Sequence, residues 1–81
     1  MLQQIELSDM EILLAFAASC VEGTARRLGV SYREVYDRMK RVGMIENYII
    51  PYYDVLHTMS REHVIDDMLE CLKTWEDTSN Q

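Results

Sequence analysis

An all-α fold, a compact bundle of four to five helices containing a helix-turn-helix-like pair, is what this 81-residue chain predicts. Three observations carry that expectation. Apolar residues recur at spacings of three and four along most of the chain, the period of a helix with one buried face. Two Ser-x-x-Glu patterns stand where such runs begin, which is the signature of a helix start. No stretch alternates apolar and polar residues for long enough to make a strand.

The elements follow in order. Ser8-Asp9-Met10-Glu11 reads as a capping box, in which the serine hydroxyl accepts a backbone N–H and the glutamate answers it. Behind it Ile12, Leu13, Phe16, Ala17, Cys20 and Val21 form one apolar stripe, which Ala25 and Leu28 continue. Gly23 interrupts that run at a cost of about 1 kcal/mol inside a helix. Either one long helix tolerates it or two shorter helices meet there, and the long helix is the expectation. Gly29 stops the pattern, and Ser31-Tyr32-Arg33-Glu34 restarts it with a second capping box. The next helix buries Val35, Met39 and Val42, carries Tyr32 and Tyr36 on its flank, and ends at Gly43. Met44, Ile45, Tyr48 and Ile49 predict a short helix, and Pro51 then sits at the first position of a turn over Tyr52 to Leu56. Thr58 or Ser60 caps the last helix. Its Val64, Ile65, Met68, Leu69, Leu72 and Trp75 face inward, while Glu62, Asp66, Asp67, Glu70 and Asp77 face water.

A chain of this length, with 48% apolar and 27% charged residues, makes one soluble domain over residues 1–81, ordered from about 8 to 76 with a polar tail at 77–81. A domain so small buries only about 60% of its unfolded surface, so its stability is modest. The formal charge is −6, from 14 acids against 8 bases, which argues against a general nucleic-acid coat. The charge is unevenly placed. Arg26, Arg27, Arg33, Arg38, Lys40 and Arg41 fall within sixteen residues opposed only by Glu34 and Asp37, so that window carries +4 and the remainder −10. The run Ile12 to Val21, with Ala15-Phe16-Ala17, imitates a signal-peptide core. However, Glu6, Asp9 and Glu11 precede it and no Lys or Arg does, and ten residues cannot span a membrane. A cytoplasmic protein without membrane attachment is expected. Cys20 and Cys71 lie on apolar stripes and read as reduced buried thiols. His57 and His63, with no Cys-x-x-Cys or paired-histidine spacing, give no metal site.

Thr24 to Tyr36 (TARRLGVSYREVY) matches helix-turn-helix geometry. Ala25 is small where two helices cross, Gly29 permits a left-handed turn, Leu28, Val30 and Val35 fill the angle, and Ser31 caps the second helix. Any tight helix pair wants the same residues, and Glu34→Arg38 and Asp37→Arg41 at i,i+4 predict a self-paired solvated face. All five tyrosines lie between 32 and 53 among the bases. Tyrosine and arginine are the side chains of interaction hot spots. Asp54 and His57 are three apart, with Thr58 and Ser60 near, so they resemble the base and orienter of a nucleophilic triad. A small helical domain leaves little room for an oxyanion hole, and the preferred reading is a histidine closing a helix. The acidic last helix suits solubility, or electrostatic docking to a basic partner.

Tyr53-Asp54-Val55-Leu56-His57-Thr58, together with Cys20-Val21-Glu22, the helix start from Ser31 to Tyr36, and Val64-Ile65-Asp66-Asp67, resembles an uncharacterised family of short bacterial proteins with a Tyr-Asp-x-Leu-His-Thr motif. The resemblance runs from about Ile12 to Leu72. Members of that family are often encoded beside proteins resembling ADP-ribosyltransferases, so the resemblance implies an antitoxin-like or accessory-subunit role. It supplies no active site.

The expectation is therefore a non-enzymatic protein-interaction module with no cofactor, no metal and no catalytic residue. Its partner would be another bacterial protein, a neighbouring gene product. The interface would be Tyr32, Tyr36, Arg38, Tyr48, Tyr52 and Tyr53, with the acidic last helix as second choice. The competing expectation is a helix-turn-helix transcriptional regulator, acting as a homodimer, that contacts DNA through Arg33, Lys40 and Arg41.

Overall fold

The computed structural model describes residues 8–79, and these form five helical elements and no strand. Helix α1 spans Asp9–Leu28, α2 Tyr32–Arg41, a π-helical turn Ile45–Ile49, α3 Tyr53–Leu56 and α4 Arg61–Ser79. The all-α bundle expected from the periodicity is the fold observed.

Helix α1 begins as its sequence dictates. Ser8 Oγ accepts from Glu11 N–H at 3.2 Å and Ser8 N–H donates to Glu11 Oε1 at 2.9 Å, which closes the capping box. The helix runs unbroken through Gly23. A methyl group at that position would lie 2.5 Å from Ile65 Cδ1, so the glycine is where α1 admits α4. At the far end Gly29 adopts φ 73°, with Gly29 N–H bonded to Arg26 O (3.3 Å) and Val30 N–H to Ala25 O (3.1 Å). That double closure satisfies the last carbonyls and turns the chain sharply into α2.

The second capping box forms by half. Ser31 Oγ accepts from Glu34 N–H at 3.1 Å, while the Glu34 side chain does not return the bond. Pro51 falls two residues before α3 rather than at its first position, because Tyr52 still belongs to the preceding turn and donates to Tyr48 O at 3.1 Å. The short helix of 44–49 takes a wide π turn that buries Ile49. Ser60, not Thr58, caps α4, accepting from His63 N–H at 3.2 Å, and Thr58 Oγ1 donates back to Val55 O. Thr78 remains helical, since α4 extends to Ser79, and the rest of the polar tail lies outside the described residues.

One core holds these elements together, with α1 packed on both α2 and α4. It is built from Ala17, Cys20, Val21, Ala25, Val35, Met39, Met44, Ile49, Leu56, Val64, Met68 and Leu72, all buried. Leu28 stands apart from the stripe that predicts its burial. It is 41% exposed, because the left-handed turn at Gly29 carries α2 away from it. Thr24 is fully buried, and its hydroxyl is satisfied by Cys20 O at 2.7 Å.

Candidate functional site

The basic window and the acidic last helix meet within the chain. Arg38 forks onto Glu76 through Nε (2.8 Å) and Nη2 (2.7 Å), and Arg27 reaches Asp66 at 2.5 Å. The pairing within α2 therefore differs from expectation. Arg38 is drawn off Glu34 by the better fork of a carboxylate across the bundle, and Asp37 pairs with Arg33 at 3.3 Å instead of Arg41. The fork holds the Glu76 carboxyl below its ordinary range and raises Arg38 above its own. Arg61 anchors the start of α4 to α1 by donating to Ser19 Oγ (3.1 Å) and Ser19 O (2.9 Å).

The five tyrosines divide into three groups. Tyr32 and Tyr36 stack nearly parallel on α2 with centroids 6.3 Å apart, and the Lys40 ammonium stands 5.7 Å from the Tyr36 ring. This i, i+4, i+8 row runs along one stripe of the helix, at whose middle Tyr36 rests partly on the core. Tyr48 and Tyr52 touch at 5.5 Å, and Tyr48 also meets Trp75 edge-on at 6.1 Å. Tyr53 packs against Phe16 at 5.1 Å and stacks on His57 at 4.5 Å. No ring contact among the described residues joins the α2 row to the other groups.

Of the six residues expected at one interface, four are engaged within the fold, Tyr36 among them through the packing of its ring against the core. Arg38 is committed to Glu76. Tyr53 wedges between Phe16 and His57. Tyr48 donates its hydroxyl to Asp67, which for that reason is half-buried rather than facing water as expected. Burial, then that hydrogen bond, raises the Tyr48 phenol above its usual range. Tyr32 and Tyr52 remain exposed, and Tyr36 half-exposed. The three residues expected to face DNA, Arg33, Lys40 and Arg41, are all exposed on α2.

Asp54 and His57 do not form a dyad. The Nδ1–H of His57 donates to Tyr53 O, 2.7 Å away and one turn back, and the Asp54 carboxylate bonds neither to it nor to any other described residue. His57 closes α3. Cys20 and Cys71 are free thiols that burial pushes up to about 11, and Cys71 is only half-buried. Among the described residues no group of three or more His, Cys, Asp or Glu is placed to hold a metal, and no helix is long and apolar enough to cross a membrane.

One surface is absent from the sequence reading. A groove of about 390 Å³ lies between the first turns of α1 and the segment 50–54, lined by Ile12, Leu13, Ile50, Pro51 and Tyr53, with Asp9 and Asp54 at its rim. No spacing in the sequence marks it, because Ile12 and Leu13 read as part of the buried stripe; the exposed Met10 and Leu14 do not line it.

A family model described as "Protein of unknown function (DUF3791)" matches residues 15–75, a span that takes in Cys20–Glu22, Ser31–Tyr36 and Tyr53–Thr58. No curated protein and no solved structure matches the chain.

Proposed function

We propose that this chain, which belongs to the DUF3791 family of proteins of unknown function, is a small non-enzymatic module that docks on another protein through the outward face of α2. The observation that carries this reading is the Tyr32–Tyr36–Lys40 row. Two stacked phenols and a cation stand in line along one helix, with Tyr32 and Lys40 exposed and Tyr36 half-buried, its inner side resting on the core. Aromatic anchors ordered in advance lose little entropy on binding, and tyrosine is among the side chains that dominate interface energetics. In its fuller form the reading is that of a bacterial, cytoplasmic antitoxin-like or accessory protein. Its partner is the neighbouring gene product, an ADP-ribosyltransferase-like toxin that it holds inactive. The resemblance of the Tyr53 to Thr58 stretch supports that form. Co-expression with the neighbouring product followed by affinity purification tests it: a complex at micromolar concentration is the expected result, and its absence overturns the reading.

DNA binding is the second reading, favoured by Arg33, Lys40 and Arg41 all standing exposed on the second helix of a pair joined by a three-residue turn. Contacts to phosphates release counterions, so several of them weaken binding by orders of magnitude between about 50 and 200 mM salt. Binding of the chain to its own promoter duplex with that salt response would favour the regulator. No binding at the lower salt removes it.

A further inference from the structure

We propose that the acid-rimmed groove beside α1 receives the Tyr32–Tyr36–Lys40 row of a second copy of this chain. The inference rests on the α2 row being a docking surface, as above, and assigns a first occupant to the groove.

The groove is built to take an apolar rib with cations beside it. Its walls are Ile12 and Leu13 on one side and Ile50, Pro51 and Tyr53 on the other. Its carboxylates, Asp9 and Asp54, form no hydrogen bond or ion pair with any described residue, and no basic side chain lines it. Apolar side chains near these residues in the chain are exposed. Met10, within a turn of Leu13, and Tyr52 and Val55, flanking Tyr53 and Asp54 in the chain, are 57%, 53% and 56% exposed.

The row on α2 is the converse. It offers the exposed Tyr32 ring stacked on the outer side of the half-buried Tyr36, ending in the ammonium of Lys40, with Arg41 also exposed. A helix presenting anchors at i, i+4 and i+8 to an apolar groove is a common mode of recognition, and opposite charges at the rim fix its direction. The two surfaces do not meet within one molecule, since no groove-lining residue belongs to α2. From Leu13 to the turn at Gly29, α1 runs about 24 Å at 1.5 Å per residue as one unbroken rod. The contact is therefore between molecules. Two copies exchanging rows close as a dimer, whereas rows entering grooves in succession build an open string. Self-association then covers the same row that a protein partner would use, so a partner must displace it.

Light scattering on the full chain alone, from about 10 to 500 µM, tests the proposal in the affinity range of a small contact. The expected mass exceeds one chain and rises with concentration. Asp54→Lys and Lys40→Glu, both at exposed positions, should each shift the midpoint at least tenfold while leaving the helical circular dichroism unchanged. Mixing the two variants should restore association, because an intact row from the first meets an intact groove from the second. A single-chain mass throughout the range would overturn the proposal, as would association that neither reversal weakens or that mixing fails to restore. No other protein is present, so a negative result here leaves the partner reading standing on its own purification test.

Discussion

Arg38 and Glu76 tie the basic helix to the acidic one through a fork only 31% and 24% exposed, which makes this pair stronger than the surface pairs around it. A charge-assisted, bidentate bond of this kind contributes about 1–2 kcal/mol. Because the fork lowers the Glu76 value in the folded state, its contribution is present above the ordinary glutamate range and lost as the pH falls through the lowered value. Replacing Glu76 by Gln should therefore cost roughly 1–2 kcal/mol at pH 7 in urea denaturation. As the pH falls through the lowered Glu76 value to below it, that difference should shrink towards zero. An equal cost at neutral and at that low pH would show that the fork carries no stability of its own. Nothing in the local spacing announces this pair: Glu34 stands four residues from Arg38 and Glu76 stands thirty-eight away. Sequence spacing ranks neighbours along one helix, and the bundle supplied a better partner from another.

At the scale of elements the same contrast holds. Helix starts were legible because caps are local chemistry: Ser8 with Glu11, and Ser31 with Glu34, need only the residues that follow them. Gly23 was legible as an irregularity, but its cause is tertiary, the approach of Ile65 from α4. Replacing Gly23 by Ala should gain about 1 kcal/mol of helix propensity yet lose about 1–3 by overpacking, for a net destabilisation near 1 kcal/mol. Ile65→Val removes the Cδ1 that the new methyl meets, so the double variant should be more stable than the two single effects predict when added. Additive effects by thermal denaturation would place the reason for this glycine somewhere other than the α1–α4 crossing. The tyrosines show how a count misleads. Five in twenty-two residues predicted one surface, and the π turn with α3 instead directs Tyr48 and Tyr53 inward against α4 and α1.

For the whole molecule, the separation of charge along the chain is bridged in part within the fold, by the exposed Arg27–Asp66 pair and the part-buried Arg38–Glu76 fork across α1, α2 and α4. What remains open is smaller than the sequence suggests: an aromatic and cationic row on α2, and an acid-rimmed groove at the start of α1. The all-α class was legible from periodicity, since each helix must bury one face. The groove was not, because it arises between two segments forty residues apart whose apolar residues read equally well as core. The central claim is that the α2 row is an interaction surface, and the most direct measurement is the affinity of the purified chain for its neighbouring gene product, with and without Tyr32→Ser and Tyr36→Ser. Losing two aromatic anchors should weaken a micromolar or tighter complex at least tenfold with the helical signal intact. A complex indifferent to both substitutions would place the interface elsewhere and contradict the account.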